Sequence, residues 1–111
     1  MAYESSGQLD LAAREYRKAL RLDPHQGRTW VNLGNIEAAG AHWRDAERAY
    51  RNALRDSSTD ADAMNNLAVA LWHQRRNLDE ARTLAKQAVA SGGERDSVYR
   101  ATLLEVTQGE P

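Results

Sequence analysis

Residues 30–54 read WVNLGNIEAAGAHWRDAERAYRNAL. Two amphipathic segments flank a short turn at Gly40-Ala41-His42. In the first, Trp30, Leu33, Gly34 and Glu37 fall three and four residues apart; in the second, so do Ala46, Tyr50, Ala53 and Leu54. That spacing places each set on one face of a helix. The small residues Gly34 and Ala46 sit where two helices would approach closely, and Tyr50 is large enough to fill the space toward a neighbouring hairpin. A hairpin this short cannot hide both of its apolar faces alone, so the pattern asks for a repeat.

The repeat is present on both sides. REYRKAL (Arg14 to Leu20) aligns with the end of ERAYRNAL (Glu47 to Leu54) at an offset of 34, pairing Ala12 with Ala46, Tyr16 with Tyr50, Ala19 with Ala53 and Leu20 with Leu54. WVNLGN (Trp30 to Asn35) aligns with MNNLAV (Met64 to Val69) at the same offset. ARTLAKQAV puts Ala81, Ala85, Ala88 and Val89 in the places of Ala46, Tyr50, Ala53 and Leu54 at an offset of 35. The extra residue falls in HQRRN (His73 to Asn77), a turn, where it leaves the apolar faces in register. YRATLLEV (Tyr99 to Val106) is a weaker further copy.

Periodicity predicts helices over 8–22, 27–40, 43–56, 61–75, 78–91 and 95–108, and no strand, because nothing alternates with period two. Asp23-Pro24-His25-Gln26-Gly27 and Ser57-Ser58-Thr59-Asp60 read as turns. Thr59 or Asp60 is expected to cap the helix starting near Ala61. Asn77 and Glu80 are spaced as a capping box, and Ser91-Gly92-Gly93 is expected to end a helix.

Bulk properties narrow the function classes. The chain has 111 residues, 41% of them apolar and 28% charged, which fits one folded domain. Fifteen Lys and Arg face sixteen Asp and Glu, for a formal net charge of −1, whereas nucleic-acid binding calls for a basic excess. No nucleic-acid partner is expected. No segment reaches the length of apolar sequence that spans a membrane, and the opening MAYESSGQLD has neither the basic nor the apolar stretch of a signal peptide. There is no cysteine, which removes disulfides, thiolate catalysis and cysteine metal sites. His25, His42 and His73 show no metal-ligand spacing, and neither a phosphate loop nor a nucleophile turn is visible. No cofactor, no metal and no catalytic residue are expected.

In its combined spacing the sequence resembles the tetratricopeptide repeat family, with its 34-residue helix-turn-helix unit. The best copy carries Trp30, Leu33, Gly34, Ala46, Tyr50, Ala53 and Leu54; an earlier one Tyr3, Gly7, Ala12, Tyr16, Ala19, Leu20 and Pro24; a later one Leu67, Ala68, Ala81, Ala88 and Val89. It departs from the family at Glu37 and Leu71, which take the first-helix tyrosine place, and at Ser58, which stands where Pro24 closes the first copy. The resemblance implies an all-α, right-handed superhelical solenoid of antiparallel helix pairs. It divides the single domain into a partial repeat 1–26, repeats 27–60 and 61–94, and a capping helix 95–108. At the other end Leu9, Leu11 or Ala13 would be exposed, inviting association with another copy of the chain.

The resemblance further implies a concave peptide groove lined by first helices. By position its residues are Arg28, Val31, Asn32, Asn35 and Ala38, then Asp62, Asn65, Asn66, Val69, Trp72 and His73, with Arg100 and Ala101 extending it. Asparagines offer donor and acceptor to an extended peptide backbone, and Trp72 an apolar anchor. Some members grip a terminal carboxylate with Lys and Asn. Asn35 and Asn66 match two of those places, but Val31 and Asp62 replace basic ones. The expected function is a non-catalytic module for a peptide or protein partner. The alternatives are a structural, self-associating domain and an accessory region of a larger enzyme or secretion or assembly protein.

Overall fold

The computed structural model describes residues 2–108, with side chains from residue 7 onward. Six helices follow one another: α1 (Ala2–Leu22), α2 (Gly27–Ala39), α3 (Trp43–Asp56), α4 (Ala61–His73), α5 (Leu78–Ser91) and α6 (Asp96–Gln108). No strand occurs among the described residues. Consecutive helices pack against each other, most extensively α2 on α3 and α4 on α5, while α2 touches α4 and α4 touches α6 across the stack. This is an all-α solenoid of helix pairs.

Five helices start within a residue or so of the expected positions. The exception is α1, which begins at Ala2 rather than near residue 8. Ser5-Ser6-Gly7 has the composition of a break, yet the helix runs through it, and space is open around Gly7. Gly7 is therefore not a close-approach position, and Tyr3 lies outside the residues whose side chains are described.

The turns are built largely from the residues the sequence marks. His25 N–H donates to Asp23 Oδ1 (3.0 Å), and the Gln26 side chain donates to the carbonyls of Ala19 and Asp23. Asp60 caps α4 by accepting from Ala63 N–H at 3.1 Å. Gly92 and Gly93 both take positive φ, 67° and 88°, a conformation that glycine adopts without a Cβ penalty, and they stop α5. The capping box at Asn77 does not form. Asn77 sits in the left-handed region (φ 51°) and its side chain makes no cap bond, because the Glu80 carboxylate is drawn to Arg51 instead (2.9 and 3.0 Å).

The core follows the repeat. Ala46, Ala53, Ala81, Ala85 and Ala88 are wholly buried, and Tyr50 is nearly so. A Cβ on residue 34 would lie 2.6 Å from Tyr50 Cε1: glycine here lets the tyrosine ring lie on the backbone of α2. The same ring belongs to a cluster with Leu67, Ala68, Leu71 and Val106, so Tyr50 joins its own hairpin to the next. A second cluster of Ala13, Leu20 and Leu33, with Tyr16, Trp30 and Ile36 against it, fastens α1 to α2. Leu9 and Leu11 are exposed as expected, but Ala13 is buried by that cluster.

Candidate functional site: the groove between α2 and α4

The faces of α2 and α4 that share the groove are set by helical spacing: Arg28, Asn32, Asn35 and Ala38 on one helix, Asp62, Asn66, Val69 and His73 on the other. A pocket of about 210 Å³ opens between them, lined by Asn35, Ala38, Val69 and Asn66 together with Trp43 and Tyr50 of α3.

An asparagine ladder crosses its middle. Tyr50 O–H donates to Asn35 Oδ1 (2.7 Å), Asn66 Nδ2 donates to the same oxygen (3.0 Å), and Asn65 Nδ2 donates to Asn66 Oδ1 (3.0 Å). Burial, with the Glu37 charge adding to it, pushes the Tyr50 phenol well above its ordinary range, so it stays a neutral donor. No group among the described residues takes the Asn35 Nδ2 protons, and Asn35 is exposed. Its amide donors face the groove solvent.

One end of the groove is charged. Arg28 pairs with Asp60 (3.2 Å) and Asp62 (3.8 Å), and Asp62 also receives Arg95 Nε (2.9 Å) and Tyr99 O–H (2.6 Å). Burial first, then the bond to Asp62, pushes the Tyr99 phenol up to about 12. Asp62 thus ties α4 to α2 and α6 rather than awaiting a ligand. The other end is aromatic. The His73 ring stacks on Trp43 with centroids 4.0 Å apart and planes 2° from parallel. Trp72 is edge-on to His73, and the Arg75 guanidinium carbon lies 4.4 Å over the Trp72 ring.

The expected groove residues therefore separate. Asn35, Asn66 and Val69 line the groove, the exposed His73 stacks on Trp43 at its aromatic end, and Arg28 stands at its charged end; Asn32 is half-buried on α2. Val31 is only 1% exposed, packed with Ala53 and Ala63, and Asn65 is 3% exposed. Neither offers a surface to a ligand. The cause is that α2 and α4 are each covered on two sides, so a shift of about 100° around the helix separates groove from core. Trp72 packs against the core cluster, with its indole N–H buried and unpartnered among the described residues. Ala101 and Arg100 are exposed on α6, and Arg100 pairs with Asp96 of its own helix. Trp43 and Tyr50 of α3 line the groove as well. Tyr50 is read from the sequence as filling the space between hairpins, and its place on a second helix concealed its reach to the groove.

No group of three or more His, Asp or Glu that could hold a metal ion occurs among the described residues, and no helix among them is long and apolar enough to cross a membrane.

A tetratricopeptide repeat profile matches residues 31–96, and a second one matches residues 1–26. The chain belongs to the tetratricopeptide repeat family. Solved structures share the fold at low identity. The TPR2B-domain:pHsp70 complex of yeast Sti1 superposes with a TM-score of 0.84 at 14% identity, covering 98% of this chain and 90% of that one. The first TPR of Spaghetti (RPAP3), bound to an HSP90 peptide, gives 0.81 at 17%, covering 97% and 84%. The Yersinia enterocolitica type III secretion chaperone SycD, in complex with a peptide of the translocator YopD, gives 0.80 at 17%, covering 97% and 86%. No curated protein sequence matches the chain.

Proposed function

We propose that this tetratricopeptide repeat chain is a non-catalytic interaction module that holds an extended segment of a protein partner in the α2–α4 groove. The observation that carries the reading is the pocket itself: outward-facing amide donors on Asn35 lie beside an apolar recess made by Ala38, Val69 and Trp43. A peptide backbone satisfies the amides, and one uncharged side chain enters the recess. Three structures of the same fold are complexes with a peptide or with pHsp70, which supports the same use of the fold here. Asp62 is committed to Arg95, Tyr99 and Arg28, which disfavours a terminal carboxylate at that end. The division into a partial repeat 1–26, repeats 27–60 and 61–94 and a closing helix 95–108 belongs to this reading. A groove spanning so few repeats is small against a standard protein interface, so contacts are weak or strengthened by avidity.

A displayed peptide library tests it. Peptides selected on the parent chain are expected to lose binding to a Val69→Arg variant, whose new side chain occupies the recess, while its melting temperature stays close to the parent's. Equal binding by the variant contradicts the groove. Self-association is the second reading, favoured by Leu9 and Leu11, 37% and 60% exposed on α1. Light scattering over a concentration series separates it from groove binding.

A further inference from the structure

A second cavity, about 250 Å³, lies on the outer side of α3 and shares no residue with the groove. Its walls are Arg44, Arg48 and Arg51 of α3, Arg76 of the α4–α5 turn, and Glu47.

Two of the four guanidinium groups are already fixed. Glu47, 8% exposed, accepts from Arg51 Nε (3.0 Å), from Gln74 Nε2 (2.9 Å) and from Arg76. Arg51 also forks onto Glu80 of α5. Both Glu47 oxygens are occupied, so this carboxylate positions the arginines. Each guanidinium has five N–H donors, and the bond to Glu47 leaves Arg76 with most of its own to spare. Arg44 and Arg48 stand one turn apart, like charges on one helix face, an arrangement that disfavours itself. Arg48 has only a loose contact with Asp45 (3.8 Å, both side chains largely exposed), a pair that solvent weakens. Arg44 is exposed and makes no ion pair or hydrogen bond among the described residues. Asp45 and Glu80 are the other carboxylates at the site, and the arginines still outnumber them together with Glu47.

We propose that this cleft binds a phosphoryl group, either free phosphate or a phosphorylated side chain. Arg44 and Arg48 supply its free arms and Arg76 its fixed wall. A phosphoryl dianion has three acceptor oxygens and close to two charges, which suits three converging guanidinium groups; a carboxylate has fewer of both. An anion there also relieves the repulsion between Arg44 and Arg48.

The test is a titration of arginine Nε–Hε and backbone amide resonances at constant ionic strength and about pH 7.5, where phosphate is largely dianionic. The three arms are inorganic phosphate, a short phosphoserine peptide and the same peptide with glutamate in place of phosphoserine. Saturable shifts at Arg44, Arg48 and Arg76 are expected with both phosphoryl ligands, weakened at least about ten-fold in the Arg44→Ala/Arg48→Ala variant. Tighter binding of the phosphopeptide names a modified partner as the source; equal affinity names free phosphate. Shifts that rise linearly without saturation, shifts reproduced by the glutamate peptide, or unchanged binding by a double variant that melts like the parent overturn the proposal. Should that variant melt lower, the parent's phosphoryl and glutamate arms decide alone.

Discussion

Glu47 and Glu37 show how two glutamates of neighbouring helices come to opposite protonation behaviour. Burial pushes the Glu47 carboxyl up, but hydrogen bonds from Gln74, Arg51 and Arg76 outweigh it and hold it below its ordinary value of 4.5. Glu80 is held down chiefly by its bond from Arg51. Glu37 is pushed up, by burial first and by Asp45 second, with its Arg17 partner 3.6 Å away and insufficient to compensate. A depressed carboxyl stabilises the fold above pH 4.5 and loses that contribution as pH falls through its folded value. A raised one works in reverse: its unfavourable charge disappears as pH falls from its folded value toward 4.5. The urea midpoint is therefore expected to hold or rise slightly on acidification toward pH 4.5 and to drop below it. Glu37→Gln removes the rise, and Glu80→Gln reduces the drop. A midpoint falling steadily from neutral pH in both parent and Glu37→Gln contradicts this assignment.

The same scale shows what a sequence conceals. Ala46, Ala53, Ala81 and Ala88 are legible as core because their 34- and 35-residue recurrence needs no knowledge of neighbours. The burial of Val31 and Asn65 is not legible, because each lies at the boundary between groove face and packed face. That boundary is set by the angle at which the next hairpin docks. Likewise Arg51–Glu80 and Tyr99–Asp62 join residues 29 and 37 apart, and spacing alone cannot distinguish them from solvated surface charges.

Among the elements, the helix ends separate local from tertiary control. α4 starts where a side-chain cap is available: Asp60 accepts from Ala63 N–H and carries the exposed Arg28 as well. Replacing it with alanine is expected to cost about 1 kcal/mol, mostly from the cap, since an exposed ion pair adds little. Asp60→Asn keeps the acceptor and most of the stability. Chemical denaturation of the two variants checks this; an alanine variant within a few tenths of a kcal/mol of the parent removes the cap from the account. α5 starts without such a cap. Its Asn77 and Glu80 satisfy a local rule, but the bidentate Arg51 bond competes successfully for Glu80, and Asn77 instead turns the chain with a positive φ.

For the whole molecule, stacking is what makes both a core and a groove. The hairpin α2–α3 has a glycine where Tyr50 must lie, and Tyr50 then reaches on into the cluster shared with α4, α5 and α6. Its hydroxyl emerges at the groove to hold Asn35, so one side chain links packing to the proposed binding surface. If the hairpins did not stack, the ring would have no second wall and the asparagine ladder no anchor. Proton–proton Overhauser contacts of the Tyr50 ring in solution test this most directly. Strong contacts from the ring to Gly34 Hα and to methyl groups of α4 are expected. A ring that contacts neither, with a hydroxyl proton that exchanges freely with water, contradicts it.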